Sequence, residues 1–321
     1  MPDQALICAY GFDGAGGVRE LDAGGVRGWK PGEGWIWLHL DRTKAEAWLR
    51  NESGLDRLTV EALLEVETRP RSVGFASGML VILRGVNLNP ESDPEDMISI
   101  RLWVEQDRII SLRARRLMAV QDLRDAMAHG EVPETPGALL VAITGSMTDR
   151  MAPVLDDLND AVDELEESVL DSPSYELRAR LGQFRRQAIG LRRFLAPQRE
   201  VLARLQTDSG TLLAEVDRNR LRETTDRLTR YLEELDATRE RAAVTQEELA
   251  GRMSDQMNRI MYVLSVVSGI FLPLGLLTGL LGINVGGMPG VDNDHAFAIV
   301  CAVLVALFVA AVWIFRRLRL L

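Results

Sequence analysis

The sequence is short of the residues that build thiol and soft-metal chemistry. Its two cysteines, Cys8 and Cys301, lie at opposite ends of 321 residues. That separation gives neither a disulfide framework nor a zinc ribbon. The three histidines, His39, His129 and His295, are too few and too scattered for a histidine-built structural metal site. No high-affinity metal site is identified. No nucleophile–base pair or carboxylate dyad is apparent, so the chain reads as a non-enzyme that needs no cofactor. Cationic clusters are missing too: 37 Lys and Arg stand against 47 Asp and Glu, a formal net charge of −10, without a sustained basic block. Neutralising phosphates requires clustered cations, so nucleic acid is not an expected partner. Met1-Pro2-Asp3-Gln4 carries neither a basic n-region nor an apolar h-region, and no signal peptide is expected.

Charge is also missing from two long stretches near the end. Ile260 to Val291 has no charged residue, nor has Ala296 to Phe315. The apolar parts of these runs, 260–281 and 296–315, each match the ~20 residues a bilayer core requires of a helix. They are expected to be membrane spans joined by an external loop, 282–295. Arg252 and Arg259 precede the first span and Arg316, Arg317 and Arg319 follow the second, whereas the loop has no Lys or Arg. Positive flanks stay cytoplasmic, which puts both termini inside a bacterial inner membrane.

What remains divides into two parts. Residues 1–135 read as a cytoplasmic domain that mixes helix and strand. Strands are expected at Leu6–Phe12, Trp35–Leu40, Met79–Leu88, Ile98–Val104 and Ile109–Leu112, the last two forming a hairpin about Glu105–Arg108. Helices are expected at Thr43–Arg50 and Leu58–Glu65. The glycine-rich Gly11–Gly17 has no following Lys-Ser/Thr and opens no helix, so it reads as a turn rather than a phosphate loop. Residues 136–258 are expected to be helical. An acidic helix over Met147–Leu170, broken at Ser172-Pro173-Ser174, precedes a basic stretch from Arg178 to Arg204, which reads as an antiparallel pair with matched faces. The acidic helix could also concentrate cations. A last helix starts after Gly210 and runs into the first span. On it Leu221, Leu228, Leu235, Ala242 and Leu249 recur every seven residues, with Thr225, Leu232, Arg239, Gln246 and Met253 as companions, a seam that implies self-association.

One face of the first span is distinctive. Alternating steps of three and four residues pass through Asn258, Met261, Ser265, Ser268, Leu272, Gly275 and Gly279, mostly small or polar. Such a stripe either packs helices closely or lines a pore with apolar constrictions at Met261 and Leu272. Two spans per chain mean that any pore is oligomeric. No Asp, Glu, His, Lys or Arg lies in either span, which favours passage of a hydrated cation over a stripped one.

The span ends in Gly282-Ile283-Asn284 and continues to Gly286-Gly287-Met288-Pro289-Gly290. Here the sequence resembles the CorA-type divalent cation transporters, whose pore mouth carries Gly-Met-Asn after the first of two C-terminal spans; this chain has Ile283 where they have Met. Trp37-Leu38-His39-Leu40, Glu67-Thr68-Arg69-Pro70-Arg71, Ala196-Pro197-Gln198-Arg199 and Gly286–Gly290 are similar to the ZntB zinc-transporter branch. The resemblance implies a CorA-like fold: an α+β cytoplasmic domain, long helices and two C-terminal spans, assembled as a funnel-shaped homopentamer. It implies Gly282, Ile283 and Asn284 at the mouth and Zn(II) uptake coupled to protons, with Mg(II), Ni(II), Cd(II) and Co(II) as further candidate ions. Asp292, Asp294 and His295 in the loop are either an ordinary polar loop or a ring that attracts cations; imidazole also binds zinc and titrates between pH 5 and 8. Two other readings stay open: a Mg(II) channel gated by cytoplasmic magnesium, and a membrane-anchored oligomeric scaffold.

Overall fold

The computed structural model describes residues 4–30, 32–66, 68–171, 174–208, 210–283, 290 and 293–317. The chain divides into two compact units, Met1–Gln246 and Glu247–Leu321.

The first unit is built on one sheet. Its strands are β1 (Leu6–Phe12), β2 (Val18–Glu20), β3 (Trp35–Asp41), β4 (Arg71–Gly74), β5 (Met79–Gly85), β6 (Ile98–Val104) and β7 (Arg108–Arg113), in the order β2-β1-β3-β7-β6-β5-β4. All pairings are antiparallel except β3 with β7. The central strands read as unbroken apolar runs because both faces are covered, so alternate residues enter different cores. On β3, Trp35 and Trp37 join one core, while Ile36, Leu38 and Leu40 join the other. The second core is closed by Trp48 and Leu49 of α2 (Glu46–Asn51) and by Val60 and Leu63 of α3 (Arg57–Leu64). Asp56 starts α3 by accepting from the Thr59 amide at 3.0 Å.

The first core is larger. It takes in α4 (Met118–Ala128), α5 (Pro136–Asp149), α6 (Ala152–Asp171), α7 (Tyr175–Asp208) and part of α8 (Glu215–Gly282). Thr135 caps α5, accepting from the Ala138 amide at 3.0 Å, with Pro136 in the first turn. The expected helix over Met147–Leu170 is therefore two elements, interrupted at Arg150-Met151. Further differences are local. β5 stops at Gly85 rather than Leu88, α4 lies in a stretch to which the sequence reading assigns no element, and β2, α1 (Ala23–Gly28) and β4 are additional. The Gly11–Gly17 turn is held by Asp13, whose carboxylate accepts from the Ala15 and Gly17 amides, both at 2.8 Å. It joins β1 to β2.

Two expectations are corrected along the long helices. Leu221, Leu228, Leu235 and Ala242 are at most 1% exposed within a single chain, and the first three share a core with Leu155 and Leu158 of α6 and Leu191, Leu202 and Leu205 of α7. The seam is thus occupied inside the subunit and is not a surface for another copy. Its companions are mixed: Leu232, four positions on from Leu228, is buried as expected, but elsewhere Thr224, Thr238 and Thr245, three positions on, are buried, whereas Thr225, Arg239 and Gln246 are half-buried. Threonine is tolerated there because each hydroxyl donates to the carbonyl four residues back, at 3.0, 2.8 and 2.9 Å. Among the described residues no ion pair joins the acidic helix to the basic one, as matched faces would require. Among the described residues, Asp163 and Glu166 of α6 pair with Arg241 of α8, and Arg192 of α7 pairs with Asp236 of α8 at 2.7 Å. α8 carries both signs and serves both neighbours.

The Ala-Pro-Gln-Arg segment has a structural role. Pro197 lies inside α7, and Gln198, fully buried, accepts the Arg84 amide of β5 at 2.7 Å. β4 is too short to pair with that part of β5, so the glutamine side chain supplies the acceptor a strand would have given.

The second unit contains the end of α8 and α9 (Ala296–Arg317). Both helices are long and apolar enough to cross a membrane.

Candidate functional site

Within the second unit, α8 has two distinct sides. Val266 and Ile270 are buried and Leu274 and Leu277 half-buried, a stripe at steps of three and four. Gly269 lies on the same side, where a Cβ would come within 2.7 Å of the Phe315 ring of α9. That side is the seat of α9, and glycine lets the ring approach the helix backbone. Beside it, Phe271, Leu274, Gly275 and Thr278 of α8 and Leu304, Val305 and Phe308 of α9 line an apolar groove of about 450 Å³.

The small and polar stripe lies elsewhere. At 3.6 residues per turn, Met261, Ser265, Ser268, Leu272, Gly275 and Gly279 fall roughly half a turn around the helix from Val266 and Ile270. Asn258, Met261, Ser265, Leu272, Gly275 and Gly279 are exposed and Ser268 half-exposed. A Cβ at Gly275 or Gly279 would meet no atom within 4 Å. Neither glycine is therefore required for close approach of α8 and α9, although Gly275 borders the groove between them. The Ser265 hydroxyl donates to the Met261 carbonyl at 2.8 Å, which leaves its lone pairs turned outward.

Gly282 ends α8, and Ile283 beyond it is 51% exposed. Asn284 and Asp292 lie outside the described residues. Asp294 and His295 are exposed at the start of α9. Their position is set by Asn293, which the sequence reading does not single out. Its carboxamide oxygen accepts from the His295 amide at 2.9 Å and its carbonyl from the Ala296 amide at 2.9 Å, an Asx turn that leads into the helix. A polar residue near this end, three ahead of an apolar run, was the available signal.

Among the described residues, no group of three or more His, Cys, Asp or Glu side chains is placed to hold a metal ion. His39 is buried and bound to Ser111, its Nδ1 lying 2.8 Å from the Ser111 hydroxyl, which also accepts from Trp37 Nε1 at 2.7 Å. Burial, with Arg113 and Arg124 nearby, pushes its pKa down to about 3, so the imidazole is neutral. The Trp-Leu-His-Leu motif is thus a core strand with one satisfied hydroxyl at its centre. Of the acids on α6, Asp156, Asp157, Asp160, Glu164 and Glu167 are exposed. A second acidic series, at seven-residue spacing, was not singled out from sequence: Asp226, Glu233, Glu240 and Glu247, all exposed on α8.

Comparison with known proteins agrees with this architecture. The family model for the CorA-like Mg2+ transporter protein matches residues 32–317. The chain is 41% identical over 323 residues to the divalent cation transporter CmaX of Pseudomonas aeruginosa, covering 99% of this chain and 97% of the relative. It is 34% identical over 309 residues to the zinc transport protein ZntB of Yersinia enterocolitica, covering 96% and 93%. Among solved structures, full-length CmaX matches with a TM-score of 0.86 at 40% identity over 99% of each chain. The CorA magnesium transporter from Methanocaldococcus jannaschii matches with a TM-score of 0.80 at 20% identity over 97% of each, a likeness of fold. With a matched model over most of its length and relatives this similar, the chain belongs to the CorA-like Mg2+ transporter family, whose members carry divalent cations and are not enzymes.

Proposed function

We propose that the chain carries Zn(II) into the cytoplasm through a pore lined by α8 in a homopentamer. The observation that carries this reading is the two-sidedness of α8. One side is used by α9, while the stripe of Ser, Gly, Asn, Met and Leu is largely exposed among the described residues, with only Gly275 bordering the groove beside α9. In a bilayer, polar groups turned toward lipid are costly, so such a face belongs against other copies or water. Several copies arranged about an axis turn the stripe inward. The path is then polar at Ser265 and Ser268, open at Gly275 and Gly279, and narrowed by Met261 and Leu272.

The chemistry of the path suits an ion that keeps its water. Neither span has a carboxylate or imidazole to replace the hydration shell. Gly282 and Asn284 at the mouth supply backbone and carboxamide groups that hydrogen-bond a shell without trapping the ion. Asp294 and His295, with Asp292, would draw dications to the entrance; Asp226, Glu233, Glu240 and Glu247 would do so on the cytoplasmic side. Zinc is preferred over magnesium because relatives about one-third identical over nearly their whole length are zinc transport proteins, and because Ile283 replaces the Met of the magnesium-type mouth. Proton coupling would use groups outside the spans, His295 first among them. Both termini would be cytoplasmic, in an inner membrane.

A Mg(II) channel is the second reading. It is favoured by the hydroxyl and carboxamide oxygens of Ser265, Ser268 and Asn258, since Mg(II) sheds water reluctantly and takes oxygen ligands. Flux into liposomes containing the purified chain, with Zn(II) or Mg(II) outside and with or without a pH gradient, separates the two. Zinc entry accelerated by an inward proton gradient is expected. Magnesium entry indifferent to pH would establish the second reading, and no flux of either ion would leave the chain a scaffold.

A further inference from the structure

Among the described residues, two charged helix faces of the first unit have no partner of opposite sign inside the chain. On α6, Asp156, Asp157, Asp160, Glu164 and Glu167 are exposed and in no ion pair; the acids of this helix that pair with α8 are Asp163 and Glu166. On α7, Arg178, Arg180, Arg185, Arg186 and Arg193 are exposed and equally unpaired, whereas Arg192 is taken by Asp236. Tyr175, Arg178, Gly182, Arg186, Ile189 and Arg193 follow one another in steps of three and four and so share one side of α7. Tyr175 and Ile189 are exposed there among the arginines.

The helix α8 gives both faces a common scale. Asn159 of α6 accepts from the Thr238 hydroxyl and Glu166 from the Thr245 hydroxyl at 3.2 Å, so α6 runs parallel to α8. Arg192 of α7 meets Asp236 at 2.7 Å and Gln206 donates to the Thr225 hydroxyl at 2.9 Å, so α7 runs antiparallel to it. Asn159 and Gly190 therefore stand at the same height. From that level Asp156 falls beside Arg193, Glu164 beside Arg185, and Glu167 beside Gly182, one turn from Arg178 and Arg186. The acidic and the basic stretch thus occupy the same interval along α8, with opposite charge at matching heights. Rotation about an axis along α8 carries a copy sideways and leaves its heights unchanged. It brings the acids of one copy level with the arginines of the next, without any sliding. A chain with two different, complementary faces makes head-to-tail contacts, and such contacts close into rings.

We propose that the acidic face of α6 in each copy docks on the basic face of α7 in the neighbouring copy. The contact rests on the oligomeric pore reading for its ring and adds to it the surfaces that set the order of the subunits. One exposed ion pair contributes little, so the faces act as a network. Opposite charges select the head-to-tail neighbour, and like charges oppose the back-to-back meeting of two α6 or two α7 faces. Tyr175 and Ile189 add apolar contact, and salt weakens the rest.

The test uses the full chain in detergent, with native mass spectrometry reading the oligomer. Asp160→Arg, Glu164→Arg and Glu167→Arg together should raise the dissociation constant more than about tenfold, by setting arginine against arginine. Arg178→Glu, Arg185→Glu and Arg186→Glu together should do the same. Combining both sets restores the net charge and the opposition of sign, and should recover assembly. A second measurement is cross-linking of two differently tagged, co-expressed chains, one with Glu164→Cys and one with Arg185→Cys, both with Cys301→Ala. Oxidation should give mixed disulfide dimers, whereas Glu164→Cys chains alone should give none. Should a reversal set fail to fold, the cross-link decides alone. A wild-type chain that is monomeric overturns the pore reading and this contact together. An oligomer unmoved by either reversal, a combined variant no better than the separate sets, or cross-links between like positions alone overturns the contact and leaves the pore reading standing.

Discussion

Gly269 and Gly279 occupy the same helix and the same residue type, yet leucine should have opposite consequences at the two positions. At Gly279 a Cβ meets no atom within 4 Å, so a leucine is accommodated within the subunit. It also gains roughly 0.8 kcal/mol of helix propensity over glycine. At Gly269 the added Cβ would stand 2.7 Å from Phe315 Cζ. Overpacking of this kind typically costs about 1–3 kcal/mol, which cancels the propensity gain and displaces α9. Gly279→Leu should therefore keep or raise the Tm in detergent, while Gly269→Leu should lower it. Flux should respond differently. If Gly279 faces the path, each copy of the leucine adds a branched alkyl group where a hydrated dication must pass. A barrier higher by only about 2.7 kcal/mol reduces flux roughly a hundredfold. The assay pairs zinc flux into liposomes with thermal unfolding of the same preparations. Full flux through Gly279→Leu, or a Tm loss that parallels its flux loss, would refute the assignment of this face to the pore.

Four further expectations follow from the same structure. Leu228→Ala, at a fully buried position, should cost about 2–5 kcal/mol in denaturant unfolding yet leave the oligomer intact on sizing, because the seam is satisfied within the chain; dissociation would show the opposite. Leu274→Ala, on the side of α8 that meets α9, should lower Tm while retaining most zinc flux per assembled oligomer. His39→Gln should flatten the acid limb of stability: with its folded pKa near 3 and an unfolded value near 6.5, the unfolded state binds the extra proton between them, so wild-type stability is full above pH 6.5 and falls by about 1.4 kcal/mol per unit below it. Unfolding titrations from pH 4 to 7 would check this, and equal slopes would contradict it. Asn284→Ala should abolish transport without disturbing assembly, since it removes a contact to the ion's water shell; wild-type flux from the purified variant would exclude that role.

The doubly buried strands were legible because nothing else in a sequence looks like Met79-Leu-Val-Ile-Leu83 or Ile98–Val104: β-branched and apolar residues without helical spacing, between turn residues. The edges of the same sheet were not. β2 is three residues long and β4 is largely exposed, so neither carries an apolar signature. α4 had a usable one, with Ala119, Val120, Leu123 and Met127 buried at helical spacing, but Arg-rich residues before it and His129-Gly130 after it disguise its bounds. The heptad on α8 shows the limit of periodicity most directly. A repeat of Leu221, Leu228 and Leu235 states that one face of a helix is covered. It does not state by what, and α6 and α7 of the same chain satisfy the pattern as well as another copy would. The stripe from Met261 to Gly279 was readable as a face, whereas its distance from α9 depends on where Phe315 lands in the folded chain. Asn293 had little to mark it, because an Asx turn ahead of a helix shows only once the helix start is known.

The sharing of α8 by the first core also bears on how the protein is made. Leu221, Leu228 and Leu235 close a core whose other walls come from β1, β3, β5, β6 and β7. A nascent chain that ends before position 221 leaves Leu155, Leu191 and Leu202 without their cover. That core is complete only when residue 235 has left the ribosome, and by then the apolar run that begins at Ile260 is close behind. Domains generally fold as units during synthesis, at about 5–20 residues per second. Folding of the soluble part and delivery of the first span to the membrane are thus compressed into a window of a few seconds. A pause in translation within 236–259 would lengthen that window, and a chain stalled before 221 would be a substrate for chaperones rather than for the insertion machinery.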